Sequence, residues 1–173
     1  SPALLAHDGH GNTYQYAVIN GTVTAGTTTY DHLNGTFLLQ KFDAAGQHAW
    51  TIQADHVQVN ALKANNGHVF LCGTFSYLGD SIGSTTFQPA NDADAFVLRF
   101  SSGGQPELLL TGTGPGAEMA NGLDVDVHGN IYVTAMHGHH SVFGTHTLTA
   151  PNGANYYVAK YDNTGNVQWI TQG

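Results

Sequence analysis

The side chains best suited to chemistry in this chain are histidines and carboxylates, and they fall into a few short clusters. His137-Gly138-His139-His140 places three imidazoles within four residues. Imidazoles at such spacing can ligate zinc, nickel or copper. No carboxylate lies close by in the sequence, and a loop there supplies no fixed geometry. His137, His139 and His140 are therefore weak metal candidates, and no cofactor is expected. Asp92 and Asp94 form a pair of acids able to do acid–base work if their separation and pKa values suit it. Asp124-Val125-Asp126-Val127-His128-Gly129-Asn130 has part of an oxygen-ligand calcium loop, but the downstream Glu is absent. Its partial counterpart at Asp8 to Asn12 marks it as repeated turn chemistry. No nucleophile signature, zinc-hydrolase motif, P-loop or dinucleotide fingerprint occurs.

Composition narrows the classes further. The 173 residues carry a formal charge of −8, with only four Lys plus Arg. Phosphate neutralisation needs a cluster of cations, so nucleic acid is not an expected partner. The same scarcity argues against an anionic membrane surface. No apolar run approaches the length of a membrane-spanning helix, so no membrane insertion is expected. Cys72 is the single cysteine and sits in the apolar run Val69-Phe70-Leu71-Cys72-Gly73, which suits a buried hydrophobe. The chain has 22 glycines, many turn residues and few strong helix formers, which predicts an all-β protein.

The elements that must position these side chains recur three times. Lys41-Phe42-Asp43-Ala44-Ala45-Gly46-Gln47 matches Arg99-Phe100-Ser101-Ser102-Gly103-Gly104-Gln105 and Lys160-Tyr161-Asp162-Asn163-Thr164-Gly165-Asn166. Each copy predicts four short strands. The first run is Ala3 to His7, Asn60 to Ala64 and Gly122 to Asp126. The second is Thr13 to Ile19, Val69 to Phe75 and Ile131 to Met136, and a long connection follows it. The third, most apolar run is Thr36 to Phe42, Ala95 to Phe100 and Tyr156 to Tyr161. The fourth carries Trp50 in the first copy, Leu108 in the second and Trp169 in the third. Four antiparallel strands at a period of about 60 residues describe the blade of a β-propeller. The expected units are residues 1–58, 59–121 and 122–173, one continuous array.

Gly129-Asn130-Ile131-Tyr132-Val133-Thr134, Phe143-Gly144, Leu148-Thr149, Tyr157-Val158-Ala159-Lys160-Tyr161-Asp162, Gly165-Asn166 and Trp169 resemble the SBBP-type β-propeller repeat. The resemblance covers essentially the whole chain as three tandem copies. It implies a bacterial secreted or cell-surface setting and a scaffold, with no single activity. Gln15-Tyr16 departs from its usual apolar-small pattern in the first copy.

Three blades do not close a ring, since propellers need four or more. The array is expected to be part of a larger ring or to close by oligomerisation. Association is head to tail in the second case, with a dimer of six blades favoured. Strand alternation sends the long, variable connections to one face, where binding residues usually lie. The candidates there are Tyr30, Asp31, His32, His56, Tyr77, Asp80, Asp92, Asp94 and Glu118. The reading that follows is a non-catalytic recognition module for protein or glycan. The alternatives are a hydrolase or lyase with a site at the central channel, and a purely structural self-assembling repeat.

Overall fold

The computed structural model describes residues 3–19, 21–31, 36–76, 79–89 and 92–173. Among these the chain is all-β, and none of its antiparallel sheets closes into a barrel. The strands in order are β1 (Leu4–His7), β2 (Thr13–Val18), β3 (Thr22–Ala25), β4 (Thr28–Asp31), β5 (Thr36–Phe42) and β6 (His48–Asp55). Next come β7 (Gln58–Asn65), β8 (His68–Phe75), β9 (Ser81–Ile82), β10 (Thr85–Thr86), β11 (Asp94–Phe100) and β12 (Pro106–Thr113). The last are β13 (Met119–Val125), β14 (Ile131–His137), β15 (His140–Phe143), β16 (His146–Thr149), β17 (Asn155–Tyr161) and β18 (Val167–Gln172).

Three sheets share one plan. Their strand orders contain β1-β2-β5-β6, β7-β8-β11-β12 and β13-β14-β17-β18. The same register shift falls after Lys41, Arg99 and Lys160, where each third strand meets its partner beside the following turn. Those turns close on positive-φ glycines, with φ of 77°, 78° and 92° at Gly46, Gly104 and Gly165. An L-residue with a Cβ rarely adopts that conformation.

The long connections contain strands of their own, which the sequence reading leaves as loops. Each is a hairpin built around a glycine turn. β9–β10 adds to the first sheet, with Ala54 opposite Ile82. β15–β16 adds to the second sheet, with Gly112 opposite Phe143. Each of these two hairpins therefore leaves its own sheet and extends the outer strand of the preceding one. β3–β4 forms a two-stranded sheet by itself.

Two apolar cores fill the junctions. The first joins Tyr14, Leu39, Val57, Leu71, Phe75, Ile82, Phe87 and Phe96 across the first two sheets. The Phe87 ring lies 4.7 Å from Phe75 and 4.9 Å from Phe96. The second joins Phe70, Cys72, Val97, Ile131, Val133, Phe143 and Tyr157 across the second and third. Burying a large side chain of this kind contributes about 2–3 kcal/mol. Either face of the middle sheet thus finds a partner, which explains the near-continuous apolar sequence of β8 and β11.

Candidate functional site

The two junctions differ at one register-equivalent place. In the first, Val57 and Phe75 are buried among rings. In the second, Glu118 stands where Val57 does and His137 stands where Phe75 does, and both are fully buried. Asp94 opens β11 and is also fully buried. The backbone brings these groups together: the Glu118 N–H donates to the Ala93 carbonyl at 2.7 Å. Two glycines allow the close approach, since a Cβ on Gly138 would lie 2.7 Å from the Gly116 Cα.

Glu118 is well supplied with donors. The Ser141 hydroxyl donates to Glu118 Oε1, and the Gly138 N–H reaches the same oxygen at 3.4 Å. Burial pushes the Glu118 carboxyl up to about 7. The Ser141 and Gly138 hydrogen bonds pull the other way, and the adjoining Asp94 carboxyl raises it further by charge and by hydrogen bonding. The two carboxyls lie close enough to interact, and like charges at close range favour the protonated form of Glu118. Burial lowers the His137 imidazole, against a weaker opposite effect of the Gly138 backbone. The His137 ring lies 6.0 Å from Tyr157, whose phenol burial holds above its ordinary range. The arrangement can hold a proton. Asp94, Glu118 and His137 expose no surface to solvent.

A second place is open. A groove of about 360 Å³ is lined by Leu4, Tyr16, Phe37, His56, Val57, Gln58, Val59 and Asn60. Tyr16 and Phe37 stack with centroids 5.1 Å apart and planes within 9°. Tyr16 is buried, and its hydroxyl has no hydrogen-bond partner among the described residues. His56 takes φ of 60°, uncommon for a residue with a Cβ. Strain of this kind at a cleft is a reason to suspect function. Gln58 Nε2 donates to Asn60 Oδ1 at 2.9 Å, and Asn60 Nδ2 donates to the Ala120 carbonyl at 2.8 Å. The rim therefore offers amides that are already oriented.

The expected site residues divide between these places and the surface. Asp94, Glu118 and His137 belong to the sealed junction, and His56 lines the groove. Asp80 is buried and accepts the Ser76 N–H at 2.8 Å. Tyr30 and exposed Asp31 lie on β4, where Asp31 accepts from the Thr22 hydroxyl at 2.7 Å. Asp92, His139 and His140 are exposed. His32 and Tyr77 lie outside the described residues. Asp92 is therefore exposed while Asp94, two residues on, is sealed beside Glu118. Among the described residues no three His, Cys, Asp or Glu side chains gather closely enough to hold a metal ion. No described helix is long and apolar enough to cross a membrane.

The acidic turns resolve as scaffold. Asp8 Oδ1 accepts from the N–H groups of His10 and Asn12 at 2.9 and 3.0 Å. Asp126 Oδ1 accepts from those of His128 and Asn130 at the same two distances. The Tyr14 and Tyr132 hydroxyls complete the two sets, each at 3.2 Å. These carboxylate oxygens already serve the turn. Sequence reasoning missed Ser141, Tyr16, Phe37, Gln58 and Asn60. The available signal was a mismatch between copies, a polar residue where another copy is apolar.

No family model matches this chain, and no curated protein matches it in sequence.

Proposed function

We propose that this chain is a propeller-type array of three blades used for recognition rather than catalysis, and that its ligand is a glycan held in the Tyr16–Phe37–His56 groove. One contrast carries the reading. Glu118, Asp94 and His137 are buried in the second junction, while the open groove offers the partly exposed Phe37 ring stacked on Tyr16, an imidazole and oriented amides. Apolar ring faces with a few convergent polar groups suit a sugar, which has both C–H faces and hydroxyls. A bacterial cell-surface or extracellular setting, which the repeat resemblance implies, belongs to the same proposal.

The test is binding to an oligosaccharide panel followed by calorimetry on the best ligand. Phe37→Ala and His56→Ala are each expected to weaken binding by about tenfold or more. A panel without binding overturns the reading.

A second reading, an acid–base catalyst, is favoured by the Glu118 carboxyl near 7 beside Asp94. It requires the second junction to open. Turnover of a bound glycan that disappears in Glu118→Gln would replace recognition by catalysis.

A further inference from the structure

The two internal junctions repeat one set of contacts, and the outer faces of the molecule carry that set split in half. At the first junction Lys41 Nζ and Trp50 Nε1 both donate to the Ser102 carbonyl, each at 2.9 Å. At the second, Arg99 Nη1 donates to the equivalent Asn163 carbonyl at 2.7 Å. The turn supplying that carbonyl also packs on the preceding sheet. Gly104 lies against Trp50 and Ile52, and Gly165 against Leu108 and Leu110. A hairpin then extends the preceding outer strand, as β9–β10 extends β6 and β15–β16 extends β12.

The third sheet presents the donor half outward. Lys160 Nζ sits 5.2 Å from the Tyr132 ring centre, as Lys41 Nζ sits 5.7 Å from that of Tyr14. Trp169, the equivalent of Trp50 and the β-pair of Lys160, is 42% exposed, and Tyr156, further along β17 opposite Gly173, is 66% exposed. The outer edge of β18 pairs with no described strand. The first sheet presents the acceptor half on the opposite side. Its turn holds Ala44 and Gly46, the equivalents of Ser102 and Gly104, and a Cβ on Gly46 would meet nothing within 4 Å. Its hairpin, β3–β4, extends no other sheet.

We propose that the chain binds a second copy of itself head to tail, the third sheet of one copy receiving the 44–46 turn and the β3–β4 ribbon of the other. A second copy is the occupant because one molecule carries both halves of a joint that it already makes twice internally. In the new joint Lys160 and Trp169 donate to the Ala44 carbonyl. Ala25 lies opposite Gly173, as Ile82 lies opposite Ala54. In the single chain Gly26 rests against the His48 ring, so the ribbon shifts as it docks. The contact is heterologous, and two copies satisfy both halves when the rotation closes. It rests on the repeated joints and is independent of the ligand reading, so a mass measurement tests it separately from glycan binding.

Light scattering on the intact chain should give twice its 18.3 kDa mass. The double variant Lys160→Ala with Trp169→Ala should raise the dissociation constant by about 30-fold or more, the loss of a central anchor. Ala25→Cys mixed with Gly173→Cys should form a disulfide-linked dimer on mild oxidation, and neither variant alone should. The native Cys72 is buried and does not compete. A single-chain mass up to about 100 µM overturns the proposal, because an interface that weak is not a specific one. A dimer indifferent to the double variant, with no Ala25–Gly173 cross-link, overturns it equally.

Discussion

At the scale of single residues, two kinds of carboxylate sit in opposite environments. The Asp126 and Asp162 carboxyls are each held down to about 2. The leading causes are the side-chain hydrogen bonds from Asn130 and Thr164 respectively, with backbone N–H groups adding to both. At Asp8 burial works upward and is outweighed by Asn12, His10 and Tyr14, so that carboxyl is lowered too. Glu118 is raised to about 7, first by burial. The signs give opposite pH effects. A depressed acid stabilises the fold above its unfolded pKa near 4 and loses that effect as pH falls toward 2. A raised acid binds more protons folded than unfolded between about 4.5 and 7, so its stabilising effect fades as pH rises through that window. Thermal midpoints should therefore climb as pH falls from 8 to about 6.5, below which the lowered His137 imidazole opposes the Glu118 effect, and decline below about pH 4. Glu118→Gln should flatten the upper limb. A midpoint that still climbs in that variant places the titrating group elsewhere.

At the scale of elements, glycines decide which strands can touch. A Cβ on Gly112 would lie 2.0 Å from Phe143 Cε1, and one on Gly73 would lie 1.9 Å from the Gln58 carbonyl oxygen. The first glycine lets the β15–β16 hairpin lay Phe143 across β12. The second lets β7 sit on β8. Gly112→Ala should cost about 2–4 kcal/mol in urea unfolding, because a buried ring must leave its rotamer. Gly9, with open space around it, should tolerate the same change with little loss. Equal effects at the two positions would contradict this account. The added hairpins are poorly legible in the sequence for a physical reason. Ser81–Ile82 and Thr85–Thr86 are two residues each, too short to show alternation. What holds them is pairing with another sheet's strand.

For the whole molecule, junctions matter more than any one sheet. Lys41 bridges the first two sheets through the Ser102 carbonyl, and Lys160 has the same local setting over the Tyr132 ring with no carbonyl of another sheet on it among the described residues. Lys41→Ala should lower stability by about 1–2 kcal/mol, since it removes a charged hydrogen bond from a buried side chain. Lys160→Ala should leave the diluted single chain within about 0.5 kcal/mol of its parent. Chemical denaturation at low protein concentration separates the two. A comparable loss for both would mean that Lys160 already stabilises the single chain.

The amino-acid sequence by itself determined an all-β chain built from a repeated four-strand plan, with turns at Gly46, Gly104 and Gly165. Those features are local: alternation along a strand and positive φ at a turn are written in adjacent residues. It also pointed to Asp94, Glu118 and His137, but as members of an exposed loop face. Only the tertiary structure decided that they are sealed together with Ser141, and that His56 instead lines an open groove with Tyr16 and Phe37. Burial and the contact between these groups depend on which sheet a hairpin joins and how closely Gly116 and Gly138 approach. Both are set by packing between segments remote in the chain, so neither is readable from neighbouring residues alone.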